Sequence, residues 1–216
     1  MMHEAAPGLT RDVWSDLPDY IVHFTKNSAE SGARNLENML LTGSIQARGK
    51  FGVGRYYQHC PLSVCMSELS ISQFAYISKQ RGKYALGFDR QFIQNGNGAP
   101  LFQVHEKQYE IVALLIRSAL NDPSAPIWSL VSFIDRVLPN RQLGWEREWR
   151  IPNDLAFTPD AVRFIFLPEK EHAAFINLRL NAQQKTGMPV YQCPVIDPQW
   201  QADRIRPLLA YKPTAA

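Results

Sequence analysis

The most specific local pattern in the chain is Trp145-Glu-Arg-Glu-Trp-Arg150. Read as a strand, its two-residue period puts Glu146, Glu148 and Arg150 on one face and Trp145, Arg147 and Trp149 on the other. Two carboxylates at that spacing perturb each other's protonation, so one can stand as a fixed anion while the other moves a proton. The same pattern equally describes a solvated charged strip beside two packing tryptophans. His23 stands inside the β-branched and aromatic run Tyr20-Ile-Val-His-Phe-Thr25, where Val or Ile would be ordinary. It is either a hydrogen-bonded core imidazole or a site residue. Ser67-Glu68 closes an apolar run just before a helical one, a place where hydroxyls commonly cap. His59, Cys60, Cys65 and Cys193 offer four zinc-type ligands without the short Cys-x-x-Cys pairing of structural sites. Three cysteines in a chain of this size argue against a disulfide framework, and buried free thiols are expected.

The elements that must position these residues follow from periodicity. Strands are expected at Tyr20–Thr25, Ser63–Ser67, Tyr84–Phe88, Pro100–Val104, Trp145–Ile151, Val162–Leu167 and Pro189–Val195. Helices are expected at Arg34–Leu41 with Gly43 as its C′ residue, after a Ser70 or Ser72 cap with Phe74 and Ile77 on one face, at Gln108–Leu120, at Ile127–Leu138 and at Glu169–Gln183. A turn is expected at Asn95–Gly98. Strands that do not alternate strictly with helices predict an α+β fold with a mixed, largely antiparallel sheet. Residues 1–18 read as an arm, 19–207 as a single domain with a helical insertion at about 105–140, and 208–216 as a tail. A doubly wound nucleotide fold is disfavoured, because Gly52-Val-Gly54 lacks both the third glycine and a preceding strand.

Composition limits the function classes. Of 216 residues, 45% are apolar and 20% charged, enough to bury one sizeable core. A net charge of +3 is too balanced to be a footprint for nucleic acid, and Lys79, Arg81, Lys83 and Arg90, the densest basic cluster, read as a solvated rim. The apolar stretch Ile111–Ile116 falls short of the roughly 20 residues a membrane helix needs. Met1–Leu17 carries Glu4, Asp12 and Asp16 and no apolar secretory core, so a cytoplasmic protein without membrane attachment is expected.

Several of these segments occur in an order similar to that of the bacterial AbiGi-type abortive phage-infection family. They are Tyr20–Thr25, Asn35-Leu36 with Gly43 and Ile45, Ser63–Glu68, Tyr84–Arg90 with Gly98-Ala-Pro100, and Trp145–Ile151. The resemblance covers about residues 20–170 and implies a role in phage defence or a toxin–antitoxin pair, with a cognate toxin or antitoxin as partner. More distantly, the order of a histidine strand, a small-residue strand entering a helix, a further strand and a late glutamate strand resembles the ADP-ribosyltransferase fold. That likeness implies NAD as co-substrate and a macromolecular acceptor. Carried over, His23 and Thr25 hold NAD, Ser67 flanks it, Tyr76 stacks on nicotinamide, Glu148 is the catalytic carboxylate and Glu146 orients the acceptor. The sequence departs from that pattern in having Phe24 rather than glycine after the histidine, and Met66-Ser67-Glu68 in place of Ser-Thr-Ser. The site so carried over requires His23, Ser67 and Glu148 to line one cleft from the same side of the sheet.

Overall fold

The computed structural model describes residues 18–25, 29–137, 147–186 and 190–210. The chain folds as α+β. An eight-stranded sheet has the order β12-β11-β5-β1-β4-β9-β6, with β3 paired to β4 off this path. The members are β1 (Tyr20–Phe24), β3 (Gly49–Lys50), β4 (Leu62–Glu68), β5 (Ala85–Asp89), β6 (Ala99–Pro100), β9 (Arg147–Pro152), β11 (Val162–Phe166) and β12 (Val195–Ile196). Every pairing in it is antiparallel except β11 with β12. The short strands β2 (Ser44–Ile45) and β10 (Leu155–Ala156) pair with each other, as do β7 (Phe102–Val104) and β8 (Ile134–Arg136).

Helices cover both faces. On one side α1 (Ala29–Thr42), α3 (Arg90–Asn95) and α5 (Glu169–Thr186) pack on a core containing Ile21, Leu36, Val64, Met66, Leu86, Phe88, Ile93, Trp149 and Ile151. On the other, α2 (Phe74–Arg81) and α6 (Ala202–Leu209) close over Tyr20, Val22, Phe74, Ile77, Phe164, Phe166 and Ile205. The central strand β5 is buried on both faces, which is why its alternation of large and small residues carries no polar set. Gly43 ends α1 at φ 60°, with its N–H donating to the Met39 carbonyl at 2.9 Å, the left-handed cap expected of it.

A third cluster lies apart from the sheet. Val53 and Cys60 pack there with Ile116 of α4 (Glu106–Ser118), with Ala119 just past the end of that helix, and with Trp128 and Val131. Here the expectations need correction. The segment Ile127–Leu138 is not a helix: Pro126–Ser129 forms one 3-10 turn, and Ile134–Arg136 becomes β8, parallel to β7. A neighbouring strand offers hydrogen bonds that the apolar periodicity cannot reveal. The insertion at 105–140 is therefore helical only in its first part, and Leu138 falls outside the described residues. Gly52, at φ 70°, lies so close to the Val131 and Ile134 carbonyls that a Cβ there would collide with them, so the Gly52-Val-Gly54 segment serves close packing.

Smaller differences have similar causes. Pro100–Val104 is two strands, because the chain changes sheets at Leu101. Of the strand expected at Pro189–Val195, Pro189 lies outside the described residues, and what is described there is the short strand Val195–Ile196. Leu208 and Leu209 belong to α6 rather than to a tail; Leu209 is buried, and its carbonyl accepts from the buried Arg163 at 3.0 Å. Arg90 is no solvated rim residue, since it pairs with the buried Glu68 at 2.5 Å. Among the described residues no helix is long and apolar enough to cross a membrane.

Candidate functional site

The site begins with a parting of two strands. β1 pairs with β5 along all its residues, Tyr20 to Phe24, yet with β4 only through Val22 and Ser67. Beyond that pair the strands separate. The His23 imidazole then bonds the Cys65 carbonyl through Nδ1 at 2.9 Å, a side chain standing where a strand partner would. A carbonyl can only accept, so Nδ1 carries the proton and Nε2 is left as an acceptor. Burial, opposed by the Cys65 bond and assisted by Arg48, holds the His23 pKa below its ordinary value, so the ring is neutral.

The separation opens a cavity of about 920 Å³. β4 and β9 run along it in close register, Cys65 opposite Arg150 and Ser67 opposite Glu148. Arg150 is 2% exposed and organises this wall. Its Nε donates to Glu148 Oε1 at 2.8 Å, Nη1 to the Ser132 carbonyl at 2.5 Å and Nη2 to Asp135 Oδ2 at 3.3 Å, while the guanidinium lies over the Phe51 ring. Burial alone would lower the Arg150 pKa; the hydrogen bond and charge of Glu148, with Asp135, outweigh it and the net shift is upward. The Cys65 thiol is pushed up to about 12, first by burial and then by the Glu148 charge, so it is a protonated group and not a nucleophile.

Further cations line the same cavity, Arg48, Lys50 and Arg55 from the segment around β3 and Arg81 from the end of α2; Asn35 and Asn38 of α1 add amides. Lys50 Nζ holds the Tyr57 and Gln58 carbonyls at 3.0 and 2.9 Å. Arg55 Nε is buried without a hydrogen-bond partner among the described residues.

The residues expected at the site fare differently. His23, Thr25, Ser67 and Glu148 all line this one cavity. The expectation that they do so from one side is corrected by the register. Ser67 and Glu148 share the face of Val22, which packs with Phe74 and Phe166, whereas His23 shares the face of Ile21 and Met66. Both reach the cavity because it lies in the gap between the strands. Thr25 is buried, and its hydroxyl donates to the Tyr84 carbonyl at 3.1 Å. Tyr76 is 57% exposed on α2 and does not line the cavity, because Phe74 and Ile77 turn the helix's apolar side inward and leave Tyr76 outward. Glu146 and Trp145 lie outside the described residues. Cys60, Cys65 and Cys193 are free thiols, and no group of three or more His, Cys, Asp or Glu among the described residues is placed to hold a metal ion.

Sequence reasoning missed Asp135 and the cations Arg48, Lys50 and Arg55. Asp135 had no signal, being inside a segment that reads as a helix. Arg48, Lys50 and Arg55 did leave one, three basic residues close together beside glycines, a weaker signal than the denser cluster that begins at Lys79. No protein-family model matches the chain, and no curated protein or solved structure matches it.

Proposed function

We propose that this chain binds NAD in the split of its sheet and acts as an ADP-ribosyltransferase-like effector on a macromolecule in bacterial phage defence, with Glu148 facing the ribosyl centre. The observation that carries the reading is that four cations, Arg48, Lys50, Arg55 and Arg81, line the same cavity as the carboxylates of Glu148 and Asp135. A pyrophosphate suits those cations. As the bond from ribose C1 to nicotinamide breaks, its electron pair leaves on the nicotinamide nitrogen and positive charge grows on the ribose. A carboxylate fixed beside that carbon stabilises it until the acceptor attacks and gives up its proton. Arg150 is the positioning residue, since it holds the Glu148 carboxylate from a buried anchor. His23 and Glu148 come from opposite faces, so a ligand meeting both runs through the gap between β1 and β4. That geometry suits an extended dinucleotide. It gives the neutral His23 a binding role away from the reacting carbon, in place of the ribose contact that the resemblance implies.

A second reading rests on the same arginine. Arg150 ties Glu148 to Ser132 and Asp135, an anchor that needs no substrate, as in a non-catalytic antitoxin or partner-binding protein. Calorimetry with NAD and chromatographic detection of released nicotinamide separate the two. The transferase reading expects the wild type to bind NAD and release nicotinamide, and Glu148→Gln to bind it but lose on the order of 10²–10³ in rate. A wild type that neither binds nor cleaves NAD, with Glu148→Gln still neutralising a co-expressed toxin as well as wild type, establishes the second reading.

A further inference from the structure

Helix α4 is apolar on two sides, and among the described residues only one of them has a partner. Tyr109, Val112, Ile116 and Ala119 face the third cluster, against Trp128 and Val131. On the other side Ile111, Leu114 and Leu115 are 61%, 61% and 51% exposed. At 100° per residue these three fall within a stripe about 100° wide, the width of a helix-packing face. Lys107 and Ser118 continue the stripe at its two ends.

The charges beside the stripe specify what it fits. Glu110 and Arg117 are both exposed and lie seven residues apart on the same flank, and no ion pair reaches either among the described residues. Equal heptad positions on one flank face each other only when two helices pack antiparallel. In that arrangement Ile111 of one copy meets Leu114 of the other, Lys107 meets Ser118, and Glu110 meets Arg117 twice over, by the symmetry of the pair. A parallel pair leaves both charges without each other. The pattern is thus self-complementary.

We propose that the α4 face is the contact between two copies of this chain, packed antiparallel about a two-fold axis. One short helix from each side is less than a standard interface, so the dimer forms reversibly and its population depends on concentration. The contact lies on the third cluster and leaves the function proposed for the cavity independent of it.

Sedimentation equilibrium of the full chain tests this. Wild type shows a monomer–dimer equilibrium, and Leu114→Glu weakens it on the order of 100-fold while the monomer's melting temperature, measured at low concentration, is unchanged, since the side chain is exposed in the monomer. Glu110→Arg and Arg117→Glu each weaken self-association, and the two variants mixed together associate again, because each supplies the charge the other lacks. A wild type that stays monomeric up to roughly 1 mM overturns the proposal. So does a monomer that Leu114→Glu destabilises, which means that the chain's own residues cover the stripe. Dimers unaffected by Leu114→Glu, or a mixture of the two charge variants that fails to associate, overturn it as well.

Discussion

The two faces of the β4–β9 pair hold the same ingredients, a carboxylate, an arginine and an aromatic ring, in two different settings. On one face Glu68 is 6% exposed, with Oε1 accepting from Arg90 at 2.5 Å and Oε2 from Trp149 Nε1 at 3.0 Å, and Arg90 lies over the Trp149 ring. Both carboxylate oxygens are engaged, and the tryptophan closes the face against the core. On the other face Glu148 is 20% exposed, Arg150 lies over Phe51, and the ion pair borders the cavity. Glu68 and Glu148 are one register step apart on paired strands, since Glu148 stands opposite Ser67. One residue of strand alternation thus separates a carboxylate that only holds the fold from one that a ligand can reach. A Glu–Arg pair by itself says nothing about function; the space beside it does.

The largest effect expected from breaking either face is on the closed one. Trp149→Ala empties a packed site and leaves a Glu68 oxygen without its donor, and should cost about 3–5 kcal/mol in urea denaturation. Arg150→Met removes the cation between Glu148 and Asp135, a change that costs about 3–5 kcal/mol where the pair is fully dry. Because both carboxylates border the cavity, water can solvate them, and a smaller loss of about 2–3 kcal/mol is expected here. If Arg150→Met proves the more damaging of the two, the open face is not open and the comparison fails.

Next in size is a pH effect at the split. His23 has its pKa lowered in the fold, so as pH falls below its ordinary value of 6.5 the unfolded chain takes up a proton that the native chain resists. Stability is therefore full above about pH 6.5 and declines in acid. His23→Asn keeps a donor for the Cys65 carbonyl and removes the titration. Denaturation midpoints compared at mildly acidic and neutral pH should differ less in His23→Asn than in wild type; an equal difference would show that the imidazole is already solvated.

The smallest effect sharpens the electrostatics of the open face. With its thiol pushed up to about 12 by burial and by Glu148, Cys65 should alkylate slowly with iodoacetamide at neutral pH. Glu148→Gln removes part of that shift, so peptide mass spectrometry should find Cys65 labelled faster in the variant. Unchanged labelling would place the Glu148 charge away from the thiol.

The helices α1, α2, α4 and α5 and the strands β1, β4, β5, β9 and β11 were legible because each carries its own period: Leu36 with Met39 and Leu40, Phe74 with Ile77, the aromatic run at 162–166. Trp149 was legible as a packing residue for the same reason, and it is buried. What failed was pairing information. Ile127, Leu130, Val131 and Ile134 have helical spacing, yet Leu130 faces outward, and Ile127, Val131 and Ile134 reach the third cluster from a 3-10 turn, a loop and a strand in succession. α3 went unread because its start depends on a cap, the Asp89 side chain accepting from the Gln91 N–H at 2.8 Å, within a run that looks like continuing strand.

At the site the division is similar. The sequence by itself determined the strands on which the candidate residues His23, Ser67 and Glu148 sit, because side-chain type and local period are properties of a few neighbouring residues. Only the tertiary structure decided the rest. It set the register of β1 on β4 that sends His23 and Glu148 to opposite faces, the parting of those strands that opens a cavity between them, and the arrival of Asp135, Arg48, Lys50 and Arg55 on its walls. Register, separation and juxtaposition are relations between segments distant in the chain, fixed by the packing of the whole core, and no local pattern encodes them.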